Sequence, residues 1–397
     1  MRTVLQKNIL LLLTMVILLG LGEKMAERFL PLYLVALGGG ALSVGMLNGM
    51  DNLLSALYSF PGGYLSDRFG FKRALMVFNL LAMFGFLVVI VFPVWQAVII
   101  GSIFFISWTA ISLPATMSLI SQVLPGNRHT LGVSLHSLVR RIPMALGPLV
   151  GGVLITQLGE VDGTRWAFGA AFALGGVALV FQGRMVEAGS ARPVGGQPQG
   201  RSFPEGNPLR AIRGIPPALR RLLVSDILIR FCEQIPYAFV VLWVVNVVGV
   251  SPAGFGVLTA VEMATAILIY IPVAALADRS GKKPFVLITF GFFSVFPLLL
   301  LFSRSFPLLV LAFIVRGLKE FGEPARKALI LELCPAESKA GTFGAYYLVR
   351  DVVVSIAAFG GAFLWQVSPA VNFLAAFGFG VVGLGWYGLF GRDPVNV

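Results

Sequence analysis

Gly63-Tyr64-Leu65-Ser66-Asp67-Arg68-Phe69-Gly70-Phe71-Lys72-Arg73 lies between two long apolar runs, and its core returns later in the chain. Asp67-Arg68-Phe69-Gly70-Phe71-Lys72 recurs as Asp278-Arg279-Ser280-Gly281-Lys282-Lys283, 211 residues on. Asp51 maps to Glu262 at that offset; Pro114 maps to Pro324, Pro125 to Pro335 and Arg140 to Arg350 at 210. Polar and proline positions that agree to within one residue are hard to obtain by chance. The chain reads as two related halves.

Composition says what kind of halves these are. Hydrophobic residues make up 57% of the 397 residues and charged residues 12%, against roughly 45–50% and 25% in soluble domains. A secreted disulfide scaffold, a disordered tail protein and an ordinary cytosolic enzyme are excluded together. A bilayer-spanning helix needs about 20 mostly apolar residues. Apolar runs separated by turn residues predict twelve: 8–37, 43–66, 71–92, 96–123, 130–157, 164–183, 219–248, 252–277, 283–303, 306–333, 340–366 and 369–390. The first run has no small-residue cleavage site, so it reads as a spanning helix, not a signal peptide. The expected fold is all-α and integral to the membrane, with twelve transmembrane helices in two pseudo-symmetric six-helix halves. Residues 1–183 form the N-terminal half and 219–397 the C-terminal half. The Gly-, Pro-, Arg- and Gln-rich stretch 184–218 reads as a cytoplasmic linker. Cys232 and Cys334 fall in or beside apolar segments, which argues against a structural disulfide.

Eighteen of the 30 lysines and arginines lie in the N-terminal segment, the even-to-odd loops, the linker and the C-terminal segment. Two, Arg165 and Arg304, lie in the opposite loops, and ten lie inside predicted helices. This asymmetry predicts a multi-pass protein of the inner (plasma) membrane with both termini in the cytoplasm. The net charge of +12 therefore reports orientation and contact with anionic lipids. No basic stripe on a soluble domain points to nucleic acid.

The stretch Gly63–Arg73 resembles the loop signature between helices 2 and 3 of the major facilitator superfamily, and Ala274–Lys283 resembles a degenerate second copy. The resemblance covers the whole chain and implies alternating access by a secondary transporter. It implies a conformational latch made by Gly63, Asp67, Arg68, Gly70, Lys72 and Arg73, with Asp278 and Arg279 in the second half. Gly147-Pro148-Leu149-Val150-Gly151-Gly152 is similar to the helix-5 motif of proton-coupled drug exporters in that superfamily. Here Pro143 replaces the family's leading glycine, and helix 4 lacks the arginine those exporters carry. Gly147, Pro148, Gly151 and Gly152 suit a bent helix with close neighbours, which can limit leak. Glu23–Phe29 is similar to the Glu-rich first-helix motif of proton-coupled peptide transporters, with its first Glu displaced by one residue.

Nineteen charged residues fall inside the predicted helices, ten basic and nine acidic. Each costs about 2.5–3.5 kcal/mol at the bilayer centre on insertion scales, so they must pair or face a wet cavity. Asp226, Arg230 and Glu233 fall on one face of helix 7, and Arg316, Glu320, Glu323 and Lys327 form a stripe on helix 10. Proton coupling requires a half-buried carboxyl beside an exchangeable cation. Glu27, Glu320, Glu323, Glu23 and Glu233 are the candidates, with permanent structural ion pairs as the competing reading. Asp51 and Glu262 match across the repeat and are candidates for an outer gate. Arg140 and Arg350, also repeat-related, are candidates to bind an anionic group of a substrate, unless each pairs with a carboxylate of its own half. Arg28, Arg230, Tyr237 and Tyr346 complete the candidate binding set. His136 lies one turn from Arg140, where a packing hydrogen bond competes with a proton relay.

No Gly-x-x-x-x-Gly-Lys-Ser/Thr run for ATP is present, and two His with two Cys, far apart, give no metal or catalytic cluster. No cofactor and no enzymatic role are expected. The expected partners are a small-molecule substrate, protons and membrane lipids, with the chain a monomer. The leading expectation is a proton-coupled transporter of a small organic solute, working as an exporter by antiport. An organic-anion importer or exchanger built on Arg140 and Arg350 is the second reading. A non-transporting receptor on the same scaffold is the third.

Overall fold

The computed structural model describes residues 2–69, 71–106, 129–184, 214–277, 281–335 and 339–391. Within them, side chains are not described at 2–10, 12, 59–69, 71, 129–139, 270, 271, 274–277 and 339–341. In chain order the helices are α1 (Arg2–Glu27), α2 (Leu30–Ala36), α3 (Gly40–Phe69), α4 (Phe71–Val91), α5 (Trp95–Ile106), α6 (His129–Leu158) and α7 (Glu160–Gly183). After the linker come α8 (Pro217–Tyr237), α9 (Phe239–Leu242) with a π-turn Trp243–Val247, α10 (Pro252–Ala277), α11 (Lys282–Phe302), α12 (Phe306–Leu318), α13 (Glu323–Leu333), α14 (Lys339–Val367) and α15 (Pro369–Phe390). Seven described helices are long and apolar enough to cross a membrane, or eight if the bent pair Pro217–Tyr237 and Phe239–Val247 is one span. Each of the twelve predicted spans falls on helix over most of its described length, and no strand occurs among the described residues.

Three predicted spans are broken, and proline is close to every break. α1 stops at Glu27; Phe29 takes φ −104° and ψ −1°, and Pro31 lies in the first turn of α2. A proline disfavours helical geometry in the residue before it and has no N–H to donate, so a new helix starts there. α8 and the segment Phe239–Val247 meet at 42°, just past Pro236. The predicted tenth span divides into α12 and α13 across Lys319–Gly322, with Pro324 in the first turn of α13. The Gly322 N–H, left without a helical partner, donates to Thr289 Oγ1 of α11. The first two breaks, at Phe29 and Ala238, are separated by 209 residues. The discontinuity belongs to the repeat.

Two units result. Unit 1 holds Met1–Ser43, Leu53–Gly200 and Ser251–Ala260; unit 2 holds Val44–Asn52, Arg201–Val250 and Val261–Val397. In unit 1, α1 packs along α6 and α7, and α4 packs on α7. Phe86, Phe105 and Phe168 stack there with centroids 5.4–5.8 Å apart. In unit 2, α8 is gripped by α14 and α15, and α11 packs on α15 and α12. Leu219, Leu222, Phe290, Leu329, Tyr346 and Tyr387 are buried together at its core.

Small residues bring these helices close in both units. A Cβ on Gly151 of α6 would collide with the backbone carbonyl of Met25 on α1, and one on Gly361 of α14 with that of Ile235 on α8. Both members of the second contact lie 210 residues after those of the first. Backbones this close can be built only with glycine.

Candidate functional site

Ten charged residues of unit 2 form one connected chain. Asp226 of α8 is 1% exposed and receives Arg326 Nη1 at 2.5 Å, the Tyr346 hydroxyl at 2.9 Å and Arg350 Nη1 at 3.4 Å, all on Oδ2. Arg326 turns its other edge to Glu323, with Nε on Oε2 and Nη2 on Oε1, each at 2.7 Å. Such forked, charge-assisted pairs fix direction as well as energy. Glu323 Oε1 also lies 3.4 Å from Arg230 Nη2, and Arg230 Nη1 donates to Glu233 Oε2 at 2.6 Å. Glu233 Oε1 accepts from Lys319 Nζ at 2.8 Å. Lys319 lies 3.6 Å from Glu262, and Glu262 lies 3.3 Å from Arg316 Nε. Asp351 closes the far end by accepting from Arg350 Nε at 2.7 Å. From Asp351 to Arg316, five carboxylates alternate with five cations.

The local fold explains the arrangement. Asp226, Arg230 and Glu233 follow helical spacing on one continuous helix, as expected from sequence, and Arg230 bridges its two neighbours. The stripe expected on helix 10 is different. The break at Lys319–Gly322 ends its i, i+4 register, so Arg316 belongs to α12 and Glu323 and Lys327 to α13. Glu320 sits in the turn between them, partly buried. Arg326 and Lys327 are adjacent but unlike. Lys327 is exposed, 3.9 Å from Glu323, while Arg326 is 1% exposed and holds the centre of the network.

At one end of this chain is a small pocket lined by Glu233, Tyr237, Phe292, Phe293, Phe296, Arg316 and Lys319, with Cys232 and Val240. The Arg316 guanidinium lies 5.1 Å from the ring centre of Phe296, 5.6 Å from Phe313 and 5.7 Å from Tyr237. Lys319 Nζ is 5.5 Å from the ring centre of Phe293.

Unit 1 carries a smaller cluster. Lys24 bonds Glu27, three residues on, and lies 3.2 Å from Glu23, the residue just before it on α1. Arg28 follows at the helix break and interacts electrostatically with Glu27. Arg140 of α6 interacts electrostatically with both Glu23 and Glu27. Arg140 and Arg350 thus each have carboxylate neighbours within their own unit. Around them the helix-5 glycines make contact: a Cβ on Gly147 would press on Lys24, and one on Gly152 would strike the carbonyl of Pro252. The carbonyl of Pro148 lies where a Cβ on Gly256 would fall.

Of the latch residues, Gly63, Asp67 and Arg68 lie on α3, Lys72 donates to the Gly183 carbonyl at 2.8 Å, and Arg73 is exposed on α4. Gly70, Asp278 and Arg279 lie outside the described residues, as does the side chain of His136. Asp51 is half-buried on α3 and belongs to unit 2, as does Glu262. Near Asp51, Asn48 donates to the Gln234 carbonyl at 3.0 Å and Asn52 to the Gln234 Oε1 at 3.2 Å.

Sequence reading did not single out Arg326, Lys319 or Asp226 as the core of a site. The repeat offset holds one unused signal: Glu23 and Glu233 are separated by 210 residues, each placed one helical turn or so before a break. No group of three or more His, Cys, Asp or Glu able to hold a metal occurs among the described residues.

A sequence model described as Major Facilitator Superfamily matches residues 12–232 and again 222–396. The MFS-type transporter YfkF of Bacillus subtilis is 30% identical over 124 residues, 31% of either chain. The match thus spans about a third of that relative. Among solved structures, a single-substitution mutant of the nucleoside transporter NupG superposes with a TM-score of 0.76 at 14% identity, covering 96% of this chain and 99% of that one. A peptide transporter POT in complex with sulfate gives 0.76 at 16%, covering 97% and 93%. A bacterial homolog of the human lysosomal transporter Spinster, inward-facing and unoccupied, gives 0.74 at 14%, covering 98% and 97%. At these identities the superpositions speak for the fold alone.

Proposed function

The chain belongs to the Major Facilitator Superfamily, and on that premise we propose that it is a proton-coupled secondary transporter of a small organic solute. In this reading it works by alternating access, as a monomeric exporter of the inner membrane with both termini in the cytoplasm. The observation that carries the proposal is the alternating chain of charges on α8, α10, α12, α13 and α14. A buried ion pair is weak evidence for stability, because desolvating both charges consumes most of what their attraction returns. Ten such charges along one path suit a switch better than a girder. Protonating one carboxylate releases its cation to a neighbour, and each release changes which helices are tied together.

Glu233 is the best placed proton carrier. It lines the pocket and holds Arg230 on one oxygen and Lys319 on the other. Neutralising it unties α8 from α12. Glu23, Glu27, Glu320 and Glu323 remain the further candidates, and Arg28, Arg140, Arg230, Arg350, Tyr237 and Tyr346 the groups that respond to solute or proton. The close packing of Gly147, Gly151 and Gly152 supports the exporter reading, since a tight α1–α6 seam opposes leak of the ions that drive antiport. The charge asymmetry of the loops supports the orientation.

The test begins with detergent-purified protein and a panel of organic anions, cations and neutral amphipaths at pH 5.5 and 7.5. A compound that binds the folded state raises its melting temperature. That compound is then followed in proteoliposomes under an imposed pH gradient. Gradient-driven flux abolished by Glu233→Gln, with solute-for-solute exchange retained, is the expected result. Flux indifferent to the gradient and to a protonophore would overturn proton coupling.

A further inference from the structure

We propose that Arg140 of α6 receives an anionic group of the solute, so that the cargo is an organic anion. The inference rests on the transport reading and names the solute class for it. Arg140 and Arg350 match across the repeat at an offset of 210 residues, but their surroundings differ. Arg350 is filled. Its Nε and Nη2 each lie 2.7 Å from Asp351 Oδ1, Nη1 lies 3.4 Å from Asp226 Oδ2, and the guanidinium lies 4.3 Å from the ring centre of Tyr347. Arg140 makes no hydrogen bond and no ion pair among the described residues, and interacts with Glu23 and Glu27 of α1 only through space. It is half-buried, and none of its nitrogens is sealed from solvent without a partner, so its donors face accessible space. A guanidinium carries five donors in a fork that matches the edge of a carboxylate or phosphate.

The neighbouring carboxylates do not fill that fork. Lys24 Nζ bonds Glu27 and lies 3.2 Å from Glu23, so one ammonium holds both acids of the knot. Arg28 adds a further positive charge that acts on Glu27. The knot therefore sets three cations against two carboxylates, whereas the chain of unit 2 is balanced at five against five. Uncompensated charge inside a membrane protein is costly. A solute with one oxyanion brings the knot to three against three. An organic cation would enlarge the excess, and an uncharged solute would leave it in place. The fork is also well mounted. Gly147 and Gly151 hold α6 in close contact with Lys24 and Met25 of α1, so Arg140 projects from a packed helical seam and not from a loop.

The probes are acetate and inorganic phosphate, the bare head groups of organic acids and phosphate esters, against uncharged acetamide and cationic ethylammonium. Each is titrated into detergent-purified full-length protein at pH 7.5 and constant ionic strength, with melting temperature and calorimetric heat as readouts. At least one of the two anions is expected to stabilise saturably, while acetamide and ethylammonium give no shift at equal concentration. Arg140→Gln is expected to weaken that anion by about tenfold or more. Arg140→Lys, which keeps the charge and loses the fork, is expected to weaken it less. With no ligand present, Arg140→Gln should leave the melting temperature nearly unchanged, whereas Arg350→Gln should lower it, because Asp351 and Asp226 each lose a donor. Destabilisation by Arg140→Gln as large as that by Arg350→Gln would make Arg140 a structural partner of Glu23 and Glu27 and overturn the inference. So would stabilisation by neither anion, equal stabilisation by acetamide or ethylammonium, unchanged anion affinity in Arg140→Gln, or stabilisation by phosphatidylglycerol micelles alone. Binding at equilibrium needs no gradient, so the two readings fail separately. Gradient-driven flux of an uncharged or cationic solute, unaffected by Arg140→Gln, ends this inference alone. Anion binding at Arg140 with flux indifferent to the gradient ends proton coupling alone.

Discussion

The two halves share a skeleton and differ in how they hold charge. α1 breaks after Glu27 and α8 bends after Pro236; Gly151 meets Met25 as Gly361 meets Ile235; Glu23 corresponds to Glu233. On this common frame, unit 1 carries a compact knot of Glu23, Lys24, Glu27, Arg28 and Arg140 on two helices. Unit 2 extends its charges over five helices, from Asp351 to Arg316. The repeat therefore preserves backbone geometry, which is set by proline and glycine at fixed positions. Charge placement has diverged freely between the copies. A compact knot can lose one member and re-pair locally, whereas an extended chain transmits the loss to the next helix.

The strongest way to break this contrast is to neutralise the centre of each network. Asp226→Asn should cost about 3–5 kcal/mol, because Arg326 and Arg350 stay buried with their shared partner weakened. Glu23→Gln should cost about 1–2 kcal/mol, because Lys24 keeps Glu27. Chemical denaturation of the purified protein reads both, and equal losses would end the distinction between knot and chain. A double-mutant cycle of Asp226→Asn with Arg326→Gln sharpens it. The neutral pair should recover roughly 2–3 kcal/mol relative to the sum of the single changes.

The shared skeleton is tested by adding a methyl group in each copy. Gly151→Ala and Gly361→Ala should each cost about 1–3 kcal/mol through overpacking against a carbonyl. Gly176→Ala, with open space around it, should gain up to about 1 kcal/mol from helix propensity alone. A loss at Gly151 without one at Gly361 would show that the packing repeat is not energetic. The smallest effect is expected at the membrane edge. Lys282 and Glu332 pair at 2.5 Å, but Glu332 is exposed, and Lys282→Ala should cost under about 1 kcal/mol.

The helical, two-copy architecture was legible in the sequence because apolar length and the Asp67–Lys72 repeat are local or strictly periodic signals. Asp226, Arg230 and Glu233 were legible for the same reason, since three positions on one unbroken helix share a face. Arg316 and Glu323 were misjudged as one stripe because the break at Lys319–Gly322 depends on Thr289, a partner 33 residues from Gly322. Pro324 hinted at it, but proline is tolerated inside membrane helices, as Pro143 and Pro148 within α6 show. Nothing in sequence spacing distinguishes Arg316, paired with Glu262 at 3.3 Å, from Arg326, with three hydrogen bonds to carboxylates. That difference arises only from which helices are adjacent.

The charge chain also sets a schedule for biogenesis. α8 leaves the ribosome carrying Asp226, whose counter-ion Arg326 follows 100 residues later and Arg350 another 24 after that. At roughly 5–20 residues per second, the wait is about 5–20 s. During that interval Asp226 has only Arg230 of its own helix, 4.0 Å away, as a partner, a loose pair that lipid tolerates poorly. The helix is expected to wait in the insertion machinery or at the bilayer surface until α13 is made. Assembly of unit 2 is thus cooperative in time: a nascent chain truncated before Arg326 should leave α8 extractable from the membrane, and one extended past Arg350 should lock it in.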